Sequence, residues 1–182
     1  MKKTALTICI LIVSAAAVPA QRYFTKTGTI SFEAGTALED IEASNKSATS
    51  VFDAATGQLE FAVLVKGFEF RRALMQEHFN ENYMESSKYP KAAFKGRMNL
   101  QGISFQKPGS YPVTVKGTLE LHGVKKEITT TGTLKVSGST VQAIAKFPVT
   151  ISDYNISIPG VVRDKIAKTA LVAVNCNYSV LK

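Results

Sequence analysis

The stretch GQLEFAVLVKG, residues 57–67, decides the fold class because its apolar and polar side chains alternate. Polar residues such as Glu60 and Lys66 share one face with Ala62 and Leu64. The other face is entirely apolar and consists of Leu59, Phe61, Val63 and Val65. A period of two residues is typical of a β-strand that buries one face and exposes the other.

The same alternation recurs along most of the chain. It is clear in AAFKGRMNL (92–100), YPVTVKGTLELHG (111–123), EITTTGTLKV (127–136), VQAIAKFPVTI (141–151) and ALVAVNCNYSV (170–180). Two weaker strands precede these, GTISFEA (28–34) and a longer stretch through IEASNKSATSVFD (41–53). Short turn segments such as KPGS and SGS separate the strands, which predicts that successive strands pair as antiparallel neighbours.

About eight strands with one apolar face must cover that face, either as a sandwich or as a sheet closed on itself. Closure also removes exposed strand edges. Gly96, Gly117 and Gly132 fall on the inward parity of three successive strands. Two interpretations fit them equally well, a hollow interior and a tight bend at a barrel corner. We therefore predict an all-β fold, an antiparallel β-barrel of about eight strands.

One segment, FRRALMQEHFNENY, residues 70–83, departs from this alternation. Its apolar side chains recur at the helical spacing of three and four residues, and good helix formers lie between them. After it, Pro90 disfavours a helical Tyr89 and returns the chain to an extended form. The pattern predicts one short helix inserted after the third strand, whose apolar stripe plugs or covers one end of the barrel.

The first 20 residues are typical of a secretory signal peptide, with Lys2 and Lys3 before an apolar run and a small-residue end at Ala20. The run is shorter than the roughly 18 residues of a membrane-spanning helix. We predict cleavage after Ala20, which leaves one exported domain, residues 21–182, in the periplasm or secreted. This domain has 182 − 20 = 162 residues and a single cysteine, Cys176, which excludes an intrachain disulfide.

The charge of that domain is moderate, because 20 basic and 14 acidic residues remain once Lys2 and Lys3 are removed, a net charge of +6. The basic residues are scattered singly or in pairs, without the stripes that nucleic-acid binding requires, so we predict no nucleic-acid partner. The charge is typical of solvated outer strand faces, and weak, transient attraction to the anionic head groups of a membrane surface is a secondary possibility. The basic residues that could meet a polar head group at an opening are Arg71, Arg72, Lys125 and Lys126.

The chain has few residues that could perform catalysis, with two histidines and no known catalytic or metal-binding motif. We predict no enzymatic activity, no metal and no cofactor. His78 is interpreted as a histidine that anchors the helix through a hydrogen bond to backbone or to a tyrosine. His122 is interpreted as a turn residue near the mouth of the barrel, and Cys176 as a small inward-facing filler.

A set of residues in and after the non-strand segment resembles one known family. The set comprises Arg72, Leu74, His78, Phe79, Tyr83, Glu85, Ser86, Tyr89, Pro90 and Phe94, followed by LELHGVKKEIT from Leu119 and FPVTISDYNI from Phe147. From about Gly57 onward the chain resembles the YceI family of lipocalin-like, polyisoprenoid-binding exported proteins. The resemblance implies a lipocalin-like barrel that holds an isoprenoid chain lengthwise in the periplasm, without a cofactor.

The pattern and the resemblance together predict an exported carrier for an isoprenoid-type lipid, either a polyprenyl chain or an isoprenoid quinone. We expect the lipid to contact the lumen and mouth through Phe61, Val63, Val65, Leu74, Met75, His78, Phe79, Phe94, Gly96, Met98, Val115, Gly117, Leu119, Phe147, Val149, Val172, Val174 and Tyr178. The alternative is a stress-related interaction protein, whose barrel is a filled scaffold and whose loops bind a protein partner.

Overall fold

The computed structural model describes residues 21–181, so the predicted signal peptide lies outside the described residues. The strands are β1 (Arg22–Gly35), β2 (Glu42–Asp53), β3 (Gln58–Leu64), β4 (Glu69–Phe70), β5 (Lys91–Met98), β6 (Gly109–Leu121), β7 (Val124–Ser137), β8 (Thr140–Thr150) and β9 (Ile166–Val180). One α-helix, α1 (Ala73–His78), continues into a π-helical turn, Phe79–Tyr83. Three short 3₁₀ turns complete the described elements, Val65–Gly67, Ile151–Tyr154 and Gly160–Val162.

Eight of the strands close into a barrel. Their order is β1-β9-β8-β7-β6-β5-β3-β2, and β2 pairs back onto β1. Every one of these pairings is antiparallel, and the two-residue β4 only extends the edge of β2. The predicted all-β, eight-stranded antiparallel barrel is confirmed, as is the single short helix, which follows β3 after a 3₁₀ turn and β4.

The predicted inward parity holds across neighbouring strands. Phe61 of β3 faces Phe94 of β5, and Phe94 in turn faces Leu119 of β6. Their neighbours in sequence point outward, where Lys95 pairs with Glu60 at 3.5 Å. The two-residue period of the sequence therefore separates the wall of the lumen from the charged outer surface.

Gly96 and Gly117 have a different role from either interpretation above. They face each other across β5 and β6, and the ring of Phe94 lies over both. A Cβ atom at Gly96 would lie 2.6 Å from Cζ of that ring, and one at Gly117 would lie 2.7 Å from it. Because such contacts are shorter than van der Waals packing allows, these glycines make room for an aromatic ring instead of leaving a hollow.

One end of the barrel, which we call the closed end, is sealed by aromatic side chains. Tyr23 stacks on Phe52 at a centroid distance of 4.9 Å, and Tyr178 meets Phe52 edge-on at 5.5 Å. Phe105, from the loop between β5 and β6, packs on both Tyr23 and Phe52. All of these except Phe105 are at most 1% exposed, so their rings are almost completely shielded from solvent.

The opposite end, the open end, carries the helix and the longer loops. Phe79 of the π-helical turn packs against Phe32, Phe68 and Phe70 at centroid distances of 5.5, 5.8 and 5.0 Å. The helix segment thus covers part of this end, as its apolar stripe predicted. No helix within residues 21–181 combines the length and apolar character needed to cross a bilayer.

Candidate functional site

An apolar cavity of about 530 Å³ occupies the lumen between the closed end and the open end. Sixteen of the eighteen predicted contact residues line it: Phe61, Val63, Val65, Leu74, Met75, His78, Phe79, Phe94, Met98, Val115, Leu119, Phe147, Val149, Val172, Val174 and Tyr178. The other two, Gly96 and Gly117, are not wall residues because the Phe94 ring lies over them. That any of these residues contacts a ligand stays a prediction. The alternative of a filled scaffold does not fit a cavity of this size.

Part of the wall was not predicted from the sequence. β1 contributes Ile30, Phe32 and Ala34, and the loop between β8 and β9 contributes Ile156, Ile158 and Val162. These three residues of β1 share one parity inside the predicted strand 28–34, but that strand has a weak alternation and was not included in the predicted contact set. In the loop, the apolar residues of ISDYNISIPGVV (151–162) were the available signal, but they follow no regular period.

Charged side chains surround the mouth of the cavity at the open end. Arg72 Nη2 lies 2.7 Å from Glu39 Oε1, and Lys165 Nζ lies 3.8 Å from Glu39 Oε2. All three residues line the cavity, and the Glu39 side chain is only 17% exposed. One carboxylate therefore joins three elements, the β1–β2 loop, the segment before α1 and the end of the β8–β9 loop. We call this set the mouth ion pairs.

A neutral hydrogen bond reinforces the same connection. Thr36 Oγ1, in the β1–β2 loop, donates to the carbonyl oxygen of Asp164 in the β8–β9 loop at 2.7 Å. The two loops are far apart in sequence, so this contact and the mouth ion pairs fix their relative position. Together these contacts set the width of the opening.

Of the four basic residues predicted to meet a head group, the structure brings only Arg72 to the mouth. Arg71 lies 3.3 Å from Asp40. Lys125 pairs with Glu120 and Lys126 with Asp153, at 3.5 and 3.1 Å. None of these three lysine and arginine side chains lines the cavity. Lys165, which no motif singled out, takes the second position instead.

The two histidines differ in their contacts. His78 is exposed at the cavity mouth and its side chain makes no hydrogen bond to any residue within 21–181, so its interpretation as an anchor is wrong. His122 is the anchored histidine and is 8% exposed. Its Nδ1 lies 3.0 Å from the carbonyl oxygen of Tyr154, and its Nε2 lies 2.9 Å from Glu85 Oε2.

These contacts form a unit that we call the clasp, made of Glu85, Tyr89, His122 and Tyr154. The Tyr89 ring meets the His122 ring edge-on at 4.5 Å. His122 and Gly123 have positive φ values of 50° and 74°, as in the two-residue turn of a tight hairpin, which confirms its prediction as a turn residue. The clasp fastens the segment after α1 to the β6–β7 hairpin and to the end of β8.

The hydrogen-bond chemistry of the clasp constrains its protons. The Tyr154 carbonyl can only accept, so Nδ1 of His122 donates to it. Nε2 then faces the carboxylate of Glu85, and an additional proton on one of these two groups is needed for that bond to form. No clasp residue lines the cavity. Glu85, Tyr89 and His122 of the resemblance motif thus have a structural role outside the lumen.

Cys176 is an inward-facing filler, as predicted. Its side chain is fully buried, and burial raises the pKa of the thiol to about 11. Gly28 is its counterpart on β1, since a Cβ atom there would lie 2.5 Å from the Cys176 sulfur. A buried thiol that stays protonated is a poor nucleophile and metal ligand. Within residues 21–181 there is no cluster of three or more histidine, cysteine, aspartate or glutamate side chains that could hold a metal ion.

Comparison with solved structures finds the same fold in proteins of low sequence identity. A polyisoprenoid binding domain from Saccharophagus degradans, implicated in plant cell wall breakdown, superposes with a TM-score of 0.75 at 15% identity, over 89% of this chain and 99% of that one. BcnA from Burkholderia cenocepacia gives 0.70 at 18% identity, over 84% and 96% of the two chains. A YceI protein from Campylobacter jejuni gives 0.53 at 15% identity, over 100% and 99%.

Comparison at the level of sequence gives the family. A search of curated proteins found no match to this chain. The family model described as the YceI-like domain matches residues 22–177, which spans all nine strands except the last three residues of β9. This match covers most of the chain, and the chain therefore belongs to the YceI family.

Proposed function

We propose that this protein binds an isoprenoid-type lipid in its lumen and carries it, after export directed by residues 1–20. The ligand class is a polyprenyl chain or an isoprenoid quinone. The observation that supports this best is an apolar cavity of about 530 Å³, closed by aromatics at one end and open at the other. The Saccharophagus degradans relative is described as polyisoprenoid-binding, which favours the same ligand class here.

The two ends of the cavity favour one orientation of such a lipid. The closed end offers apolar rings and the Tyr178–Ser50 hydrogen bond at 2.8 Å, with no free charge for a head group. The mouth offers Arg72, Lys165 and Glu39. Since burying an unpaired polar group costs free energy, the tail enters first and the head stays at the mouth.

The cavity also limits how much of the chain is enclosed. If each carbon of a packed chain occupies on the order of 20–25 Å³ at interior packing density, the lumen holds on the order of 20–25 carbons. That corresponds to four or five isoprene units, and longer chains extend through the mouth. Each buried methylene contributes about 0.8 kcal/mol, so affinity should rise with chain length and then level off.

We propose binding and not catalysis as the activity. The charged groups at the mouth are engaged with one another through Glu39. The clasp histidine is buried outside the cavity, and Cys176, the only cysteine within residues 21–181, is a protonated filler. The chain belongs to the YceI family, and a solved structure with the same fold is described as a polyisoprenoid binding domain, which supports the same conclusion.

The direct test is native mass spectrometry of the protein purified from its own membrane-containing source. We expect a bound species whose mass, after extraction, matches an isoprenoid lipid. In addition, titration with polyprenols of increasing length should give affinities that level off near four or five isoprene units. Protein that is always empty and takes up neither long-chain quinone nor polyprenol would contradict the proposal.

A blocking variant with a matched control localises the site. Val174→Trp places an indole in the lumen from the middle of β9, and we expect it to abolish polyprenol uptake. Asn175→Trp adds the same side chain one residue later, on the exposed outer face, and should bind as the native protein does. Equal affinity in both variants would show that the lipid binds outside the lumen.

A further inference from the structure

We propose that the mouth docks on the surface of a lipid bilayer through three exposed apolar side chains, Leu38, Leu74 and Val161, which we call the rim. Leu38 belongs to the β1–β2 loop, Leu74 to α1 and Val161 to the β8–β9 loop. The bilayer we propose is electrically neutral at its surface, so that insertion of apolar side chains and not attraction of charges drives the contact.

The rim residues are the most exposed of the large apolar side chains in the described part of the chain. Val161 is 93% exposed, Leu38 70% and Leu74 61%. The other exposed members of this class are Leu64, Leu181 and Val51, which are 55%, 45% and 44% exposed and do not line the cavity. Leu181, whose N–H donates to the carbonyl oxygen of Arg22, and Val51, which precedes Phe52, lie toward the closed end. Isolated exposed apolar residues are normal, but three that surround one opening call for a partner.

The contacts described above bring the three rim residues to the same opening. Leu38 immediately precedes Glu39, and Leu74 lies two residues after Arg72, the partner of Glu39 at 2.7 Å. Val161 lies three residues before Asp164, whose carbonyl accepts from Thr36 at 2.7 Å. Each rim residue is therefore next to a contact that holds the mouth together.

Continuity with the cavity identifies the occupant as a bilayer. Leu74 lines the cavity itself, and Glu39 and Val162, which do so too, directly follow Leu38 and Val161. Insertion of the rim would place the mouth against the hydrocarbon of the membrane. An apolar lipid could then move between membrane and lumen without crossing water, which removes the largest free-energy cost of that transfer.

The charges around the mouth argue for a neutral surface. Residues 36–41, 71–78 and 151–165, the three segments that carry the rim, contain four Arg or Lys and five Asp or Glu, a net charge of 4 − 5 = −1. Lys126 of the β6–β7 hairpin lies 3.1 Å from Asp153, and including it brings the net charge to 5 − 5 = 0. A mouth of this charge gains nothing from anionic head groups, whereas apolar side chains partition into the interface of a neutral bilayer.

The inference rests on the proposed function for its purpose, because a lipid carrier must load from a membrane, but its test does not depend on lipid binding. We compare the native protein with Leu38→Ser/Val161→Ser, two positions outside the cavity wall. The matched control is Val51→Ser/Leu181→Ser, which removes two exposed apolar side chains toward the closed end. Binding to phosphatidylcholine vesicles is measured by flotation at low and high salt, with and without phosphatidylglycerol.

We expect the rim variant to bind phosphatidylcholine vesicles about tenfold more weakly than the native protein, because the contact loses the apolar side chains of Leu38 and Val161. The control variant should bind as the native protein does, and salt should have little effect. Polyprenol affinity without vesicles should be the same in all three proteins. If the native protein binds vesicles but no polyprenol, the proposed function fails while the docking surface stands.

Three results would overturn the docking surface. The first is equal vesicle binding by the native protein and the rim variant. The second is binding that requires phosphatidylglycerol and disappears at high salt, which would assign it to the basic sides of the barrel. The third is a native protein that self-associates in sedimentation while the rim variant does not and neither binds vesicles, which would make the partner a second copy of the chain.

Discussion

The two ends of the barrel are built by the same strands but held by different forces. At the closed end, Tyr23, Phe52 and Tyr178 are fully buried against one another. At the open end, Phe79 also packs against aromatic rings, but the loops that border the mouth are connected by the mouth ion pairs and the Thr36 hydrogen bond, which are partly exposed to water. Apolar packing of this kind is lost only when the barrel unfolds. Exposed polar contacts, in contrast, can be replaced by contacts with water at a small cost in free energy.

This difference assigns the two ends distinct functions. Breaking the aromatic packing at the closed end costs several kcal/mol, so this end stays shut to water while the barrel is folded. Exposed ion pairs contribute about 0–1 kcal/mol each, so they can open on the timescale of loop motion without unfolding the barrel. A ligand that enters and leaves must therefore use the open end.

The largest effect should follow from breaking the closed end. Phe52→Ala removes the ring that contacts Tyr23, Phe105 and Tyr178, and we expect the free energy of unfolding to fall by about 3–5 kcal/mol. Chemical denaturation measures this. Val51→Ala, one residue earlier and outward-facing, is the control and should cost less than about 1 kcal/mol. Equal losses would mean that the aromatic cluster is not the main seal.

The clasp should give the next largest effect, because it fastens the helix segment to the barrel. His122→Asn keeps a residue that tolerates the positive φ of this turn but loses the bonds to Glu85 and Tyr154. We expect a loss of about 1–3 kcal/mol in the free energy of unfolding. The measurement is denaturation at constant pH.

Glu85→Gln is the informative partner of that variant. Its amide can donate to Nε2 of a neutral His122, so the bond survives without the additional proton. We expect Glu85→Gln to retain most of the stability near neutral pH, whereas Glu85→Ala should lose about as much as His122→Asn. If Gln and Ala at position 85 are equally destabilising, the charge of the carboxylate is what the clasp requires.

The residues of the cavity wall could be predicted from the sequence, because the pattern that identifies them lies within each strand. Alternation within a strand assigns each side chain to the lumen or to solvent without knowledge of its neighbours. It placed Phe61, Phe94 and Val174 correctly in the wall. Gly96 and Gly117 were placed on the correct face but explained incorrectly, because the Phe94 ring over them is visible only in three dimensions, whereas Gly132 lines the cavity.

Both ends were harder to predict because loops build them. Phe105 seals the closed end from a segment without periodicity, and Thr36 meets Asp164 across 128 residues. The histidines illustrate the same limit, since a motif marks His78 and His122 as unusual without naming their partners. Side-chain contacts between distant loops leave no pattern in a single sequence, so the clasp and the mouth ion pairs were found only in the structure.

A smaller effect should come from the helix segment at the open end. Phe79→Asp places a charge among Phe32, Phe68 and Phe70, and we expect a bound polyprenol to dissociate about tenfold faster. Strand content, measured by circular dichroism, should change little. Asn82→Asp adds the same charge at an exposed position and should leave dissociation unchanged. Equal loss of strand content and of lipid retention would give Phe79 a core role instead.

The smallest effect on stability, and the most specific for the open end, is expected from Glu39→Gln. This variant removes the charge that joins Arg72 to Lys165, and the free energy of unfolding should change by less than about 1 kcal/mol. Lipid dissociation should nevertheless become faster. In the native protein, added salt should speed dissociation by screening the mouth ion pairs, and in Glu39→Gln this salt dependence should disappear.

Stopped-flow release of a fluorescent polyprenol at several salt concentrations measures both effects. Glu42→Gln is the matched control, because Glu42 pairs with Arg71 at 3.7 Å but does not line the cavity. It should release lipid at the native rate with the native salt dependence. If the two variants behave alike, the mouth is not held by Glu39. The closed end would still be sealed by buried rings in that case. The open end would be held by packing between its loops and not by ion pairs.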